Sequence, residues 1–230
     1  MSPQAEMDPL QARCLNAVED ALAFLRRDGS APQTLEALEK RFCSAGSLLE
    51  AGAYELEQSG LTAGEARLLS LVPGFARQSL RSRFSPHPRL ENVFAATELL
   101  KALFLGIPFE QFFVLNLDAG GRLISARLLG RGTLDETPFY LGDLLKCVVE
   151  EGAQAVILSH DHPGGTLQPS RADLDCTREA AQALELLGVA LIDHIIIADG
   201  RGVSFRQNGL LPMAPELCPA LNRRWLKDGK

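Results

Sequence analysis

The residues best suited to chemistry lie between Ser159 and Asp173, in the run S-H-D-H-P-G-G-T-L-Q-P-S-R-A-D. His160 and His162 stand one residue apart, at the end of an apolar run over residues 153–158. In an extended backbone, positions i and i+2 project from one face, so both imidazoles can converge as strand gives way to loop. The loop turns through Pro163-Gly164-Gly165, and Pro169-Ser170 opens the next expected helix. Asp173 lies one turn inside that helix, from where its carboxylate can point back at the histidines. Two nitrogens and one carboxylate oxygen, with a fourth position open, form the donor set of a catalytic zinc site. Other histidine signatures are absent: there is no H-E-x-x-H, and neither a His-x-Glu nor a Pro-Cys-x-x-Cys of the zinc deaminases.

Ser170 and Asp173 also fit a plainer pattern. Ser-x-x-acid at a helix start is a capping box, in which the serine caps the helix and the acid reaches back. A metal-bound Asp would not cap freely, and Glu or Gln is the better capper at that position. The neighbouring histidines therefore favour ligation, with Ser170 still able to cap.

His160-x-His162, seven residues, then Ser170-x-x-Asp173 resembles the motif of the JAB/MPN (JAMM) metallopeptidases. The wording of this stretch, with Leu191-Ile192-Asp193-His194-Ile195-Ile196-Ile197 later, is similar to the RadC branch of that family, over roughly Glu91 to Leu211. The resemblance implies Zn²⁺ on His160, His162 and Asp173, with water as fourth ligand. It makes Ser170 the residue that hydrogen-bonds the tetrahedral intermediate. It also implies a glutamate, ahead of a buried strand, that takes a proton from the water and returns it to the leaving amine. Glu110 matches that place, in P-F-E-Q-F-F-V. Glu136, Glu150 and Glu151, on a loop and a helix end, are weaker candidates. The implied substrate is a peptide or protein, cut at a peptide or isopeptide bond. Many RadC-like sequences carry Asn and Ser where this chain has Asp161 and Gly164, and Asp161 would add negative charge beside the ion. Asp193 and His194 resemble an Asp-His pair of the family. They read either as partners of a ligand histidine or as a structural pair.

The elements that must position these residues alternate. Strands are expected over 111–117 and 122–129, joined by a tight turn at Asp118-Ala119-Gly120-Gly121, then a helix over 139–150 and a strand over 153–159. A helix over 170–187, a strand over 189–198 and a hairpin at Asp199-Gly200-Arg201-Gly202 follow. This is an α/β domain spanning 86–212, a mixed sheet with flanking helices. The family resemblance makes it cytidine-deaminase-like. A tail over 213–230 has no clear demand for a core position beyond Trp225.

Residues 1–85 read as a small all-α domain, with helical periodicity from Leu10 onward and helices over 34–42, 47–51, 53–58 and 62–80. Residues 35–66 resemble the helix–hairpin–helix-like N-terminal domain of RadC proteins, whose turns bind phosphate through backbone N–H groups. Here the turn, Ser59-Gly60-Leu61-Thr62-Ala63-Gly64, lacks Gly-x-Gly and has no Lys or Arg between Arg41 and Arg67. A packing or partner module is the better expectation. Net charge is −6, without the basic excess of a dedicated nucleic-acid binder. Arg77, Arg81, Arg83 and Arg89 cluster locally, at a helix end and a Pro/Ser-rich linker. Five scattered cysteines, odd in number and without C-x-x-C, speak against a disulfide framework. No apolar run approaches membrane-spanning length, and the polar, acidic start is unlike a secretory signal. A cytoplasmic protein is expected. A DNA repair or recombination accessory, the role attached to the RadC name, and a zinc-bearing scaffold without turnover stand as alternatives.

Overall fold

The computed structural model describes residues 9–26, 29–42, 45–107, 109–132, 140–163, 165–211 and 216–227. The chain divides into two compact units, Met1–Ala76 with Leu105–Pro108, and Arg77–Phe104 with Phe109–Lys230.

The first unit holds helices α1 (Pro9–Leu25), α2 (Ala31–Arg41), α3 (Ala45–Glu50), α4 (Ala53–Glu57) and most of α5 (Ala63–Arg81). Helix α2 begins three residues before the expected Thr34, because Pro32 sits in its first turn, where a missing N–H costs nothing. Leu15, Leu22, Leu38, Leu56 and Ala66 form its apolar core. Arg26 is drawn into this unit by Glu65: its Nε donates to Glu65 Oε1 at 2.7 Å, and its Nη2 pairs with Oε2. The same guanidinium donates to Thr34 Oγ1 at 2.7 Å and to the Gly60 carbonyl at 3.0 Å.

The second unit is built on a five-stranded sheet in the order β2-β1-β3-β4-β5. Its strands are β1 (Glu110–Leu117), β2 (Leu123–Gly132), β3 (Ala155–Asp161), β4 (Ala190–Ala198) and β5 (Arg201–Ser204). Only β3 and β4 are parallel, and helix α8 (Arg171–Leu186) makes the crossover between them. The other neighbours are antiparallel. Both faces of the sheet are apolar and covered. Phe112, Val114, Val156, Leu158 and Ile196 pack with Leu144 and Val148 of α7 (Leu141–Glu151) and with Ala180 and Leu184 of α8. Leu115, Leu117, Ile157, Ile192, Ile195 and Ile197 pack against α6 (Val93–Phe104) on the opposite face. Strands β3 and β4 are buried at every position, which is why they read as apolar runs rather than alternations.

Two further features differ from the sequence expectation. The tail is not peripheral: Pro219–Lys227 forms α9, with Leu221 and Trp225 inside the α6-side core. Trp225 Nε1 donates to the Leu90 carbonyl at 3.1 Å. Gly121, in the β1–β2 turn at φ +79°, lies so close to Leu221 that a Cβ there would stand 2.7 Å from its Cδ1. The second difference is a bulge in β4. Val156 pairs with Leu191 but Ile157 pairs with Asp193, leaving Ile192 as an extra residue. Leu191 and Ile196 accordingly face the same α7–α8 layer, although they are an odd number of positions apart. Asp193 Oδ1 accepts the N–H groups of His194 at 2.8 Å and Arg206 at 2.9 Å, and the Ser204 hydroxyl donates to Oδ2. Arg206 Nε donates to the Ile192 carbonyl at 2.6 Å. The backbone groups disturbed by the bulge are thus bonded by side chains. No described helix is long and apolar enough to cross a membrane.

Candidate metal centre

His160 occupies the sixth position of β3, with Phe112 of β1 opposite and Ile196 of β4 beside it. Its ring stacks on Phe112, centroids 5.6 Å apart and planes 7° from parallel. One residue past the strand, the His162 N–H still donates to the Ile197 carbonyl at 2.8 Å, so the extended backbone persists through both histidines. Asp161, between them, accepts the Gln111 N–H on its Oδ1 at 2.7 Å. Its carboxylate therefore extends the β1–β3 ladder where the strand ends.

Helix α8 supplies the acid. Ser170, at its N-cap, accepts the Asp173 N–H on Oγ at 3.1 Å, and Asp173 Oδ2 accepts the Ser170 N–H at 2.7 Å. The capping box is complete. Asp173 Oδ1 meanwhile lies 3.1 Å from His160 Nε2. One carboxylate oxygen thus caps while the other lies against His160, so the cap leaves Oδ1 turned to that histidine. The Ser170 cap bond uses an oxygen lone pair and leaves the hydroxyl proton for another acceptor.

His160, His162 and Asp173 form a buried group whose ligand atoms all lie within 4.8 Å of one another, and it could hold a metal ion. The two Nε2 atoms are 2.9 Å apart, and His162 Nε2 is 3.8 Å from Asp173 Oδ2. Tetrahedral zinc with bonds of about 2.0–2.1 Å needs ligand atoms roughly 3.3 Å apart, and the His160–His162 and His160–Asp173 Oδ1 separations of 2.9 and 3.1 Å lie close to that. Proton positions agree with it. His162 Nδ1 is 2.8 Å from the Thr166 carbonyl, which can only accept, so the proton sits on Nδ1 and the Nε2 lone pair faces inward. Two imidazole nitrogens and a carboxylate oxygen then converge on a space that must hold a positive charge, either a proton or a cation. Burial alone would raise the Asp173 carboxyl. Bonding and positive charge from His160, with the bonds from Ser170, outweigh it and hold the carboxyl well below the usual range.

Glu110 opens β1 and is half-buried, paired with Gly132 of β2. Since Phe112 lies opposite His160, the next same-face position on β1, Glu110, falls toward His162 in the ladder. Register thus puts it on the side of the sheet that carries the histidines. Glu150 and Glu151 lie on α7 and pair with Lys146 at 3.9 Å and Arg127 at 3.7 Å. Glu136 lies outside the described residues.

Two residues around the site carry more than the sequence suggested. His194 Nε2 is 2.9 Å from His160 Nδ1, and His194 Nδ1 is 2.6 Å from Thr177 Oγ1. Complete burial pushes His194 well below its ordinary value. Thr177 was not singled out. Its available signal is position, one turn after Asp173 on the same helix face. Asp193 turns away to hold the bulge, and burial pushes its carboxyl up to about 6 against the bonds from Ser204 and the backbone.

Comparison with known proteins agrees with this geometry. Residues 90–210 match the family model described as a RadC-like JAB domain. The UPF0758 protein of Methylibium petroleiphilum is 36% identical over 89% of this chain and 95% of its own length. That of Azotobacter vinelandii is 35% identical over 85% and 91%, and that of Rhodobacter capsulatus 37% identical over 74% and 80%. With the sheet, the His-x-His strand end and the Ser-x-x-Asp helix start in the same 90–210 segment, the chain belongs to the RadC-like JAB domain family.

Proposed function

We propose that this protein is a zinc-dependent hydrolase of the JAMM type that cleaves an amide, peptide or isopeptide, in a peptide or protein substrate. The convergence of His160 Nε2, His162 Nε2 and Asp173 Oδ1, buried and with lone pairs turned inward, carries the reading. These three residues would hold the ion. A zinc ion there supplies Lewis acidity, which makes water a nucleophile near neutral pH. The remaining work falls to the chain. Glu110, on the histidine side of the sheet, accepts a proton from the attacking water and passes it to the leaving amine. Ser170 donates its uncommitted hydroxyl proton to the carbonyl oxygen as negative charge develops there. Stacking on Phe112 and the bond to Thr166 keep the two rings from swinging away.

The test is hydrolysis of a panel of peptides and branched isopeptides by zinc-loaded protein, alongside Glu110→Gln. Cleavage by the wild type that falls at least about 100-fold in the variant, at unchanged zinc content, is the expected result. Equal zinc and no cleavage by either protein on any substrate would instead favour a zinc-bearing scaffold.

A further inference from the structure

His194 and Thr177 complete a circuit that starts and ends at Asp173. Asp173 Oδ1 meets His160 Nε2, His160 Nδ1 meets His194 Nε2, His194 Nδ1 meets Thr177 Oγ1, and Thr177 returns to the Asp173 main-chain carbonyl. The direction of each bond follows from the one fixed acceptor. A carbonyl oxygen has no proton to give, so the single Thr177 hydroxyl proton goes to the Asp173 carbonyl. Thr177 Oγ1 must then accept, and the His194 proton sits on Nδ1. His194 is fully buried among Phe112 and Phe205, with ring centroids at 5.4 and 4.5 Å. Buried between these rings, with a hydroxyl at one nitrogen and an imidazole at the other and no carboxylate bonded to either among the described residues, it is a ring protonated at Nδ1 that presents a bare Nε2. At 2.9 Å from that lone pair, His160 Nδ1 must carry a proton.

We infer that Thr177 and His194 are positioning residues that fix the His160 proton on Nδ1, so that the Nε2 lone pair points at His162 and Asp173. The inference rests on the metal-centre reading for its consequence, but not for its bonding pattern. The β4 bulge is part of the device. Were β4 regular, with Ile192 paired in turn instead of bulged, the alternation that puts Leu191 on the α8 side would put Asp193 there and send His194 to the other face. Asp193 and Arg206, which bond the bulge's N–H and carbonyl, therefore hold His194 on the side where it can act.

Thr177→Val removes the hydroxyl at nearly constant shape. His194 then has no acceptor at Nδ1, and its proton is better placed on Nε2, donating to His160. That forces the His160 proton onto Nε2, where a ligand lone pair is needed. The experiment combines zinc affinity, by chelator competition, with nitrogen NMR of imidazole-labelled, metal-free protein. Expected for Thr177→Val is a loss of about tenfold to a hundredfold in affinity, with the His194 proton moved from Nδ1 to Nε2. Thr177→Ser should restore both readouts. His194→Gln, whose amide can accept from His160 and donate to Thr177, should retain affinity better than His194→Phe. Unchanged affinity and an unmoved proton in Thr177→Val would overturn the inference. A wild-type protein that takes up no zinc would overturn the metal reading, and its NMR spectrum alone would then decide where the His160 and His194 protons sit.

Discussion

At the start of α5, Thr62 Oγ1 accepts the Glu65 N–H at 3.4 Å and Glu65 Oε2 accepts the Thr62 N–H at 2.8 Å. At the start of α8, Ser170 and Asp173 make the same exchange at 3.1 and 2.7 Å. In both, the acid keeps its second oxygen for another partner. Glu65 Oε1 receives Arg26 Nε at 2.7 Å, a permanent cation supplied by the chain. Asp173 Oδ1 faces His160, and beyond it His162, which can supply a proton at most. The same four-residue pattern therefore yields a finished ion pair in one unit and an unfinished one in the other. A capping box says where a helix starts; the partner of the second oxygen says whether the site is structural or functional.

Exchanging the acids for their amides should break this comparison most sharply. Asp173→Asn can still cap, since its amide oxygen accepts from Ser170, but it should abolish stoichiometric zinc uptake. Glu65→Gln should leave zinc uptake unchanged, and metal analysis of the two proteins separates the cases. Arg26→Met leaves Glu65 nearly buried without its cation. Denaturant unfolding followed by helix content should show a loss of about 3 kcal/mol.

Acid should reveal the same pair in the wild type. The Arg26 bond lowers the Glu65 carboxyl from 4.5 to about 2. A carboxyl depressed on folding stabilises above its unfolded value and loses that contribution as pH falls through the folded one. The helical unit should therefore lose roughly 3 kcal/mol between about pH 4.5 and 2. In Arg26→Met that step should be absent from the pH dependence of unfolding. The smallest effect on stability belongs to Ser170→Ala, about 1 kcal/mol for a lost cap. A fall in turnover of about 100-fold or more in the same variant would assign Ser170 to the developing oxyanion as well. A variant that loses only the stability would leave it a cap.

The sequence carried His160, His162 and Asp173 as a set, because i, i+2 on a strand end and one turn into a helix are local geometry. Strands β1, β3 and β4 were legible as buried apolar runs for the same reason. His194 could be named but not aimed. Period-two counting fails across a bulge, and the bulge depends on Arg206 and Ser204, more than ten residues downstream. Helix α9 was missed because the partners of Trp225 and Leu221 lie near Leu90 and Gly121, a hundred positions or more away in the chain. Ser-x-x-Asp looked like a choice between capping and ligation, since residue types do not reveal that each carboxylate oxygen has its own neighbour.

The most direct test of the account is zinc stoichiometry, measured by elemental analysis after metal loading and desalting, in the wild type and in His160→Ala. About one zinc per chain in the wild type and essentially none in the variant is the result the convergent lone pairs require. Equal zinc in both proteins, or none in the wild type, would contradict it.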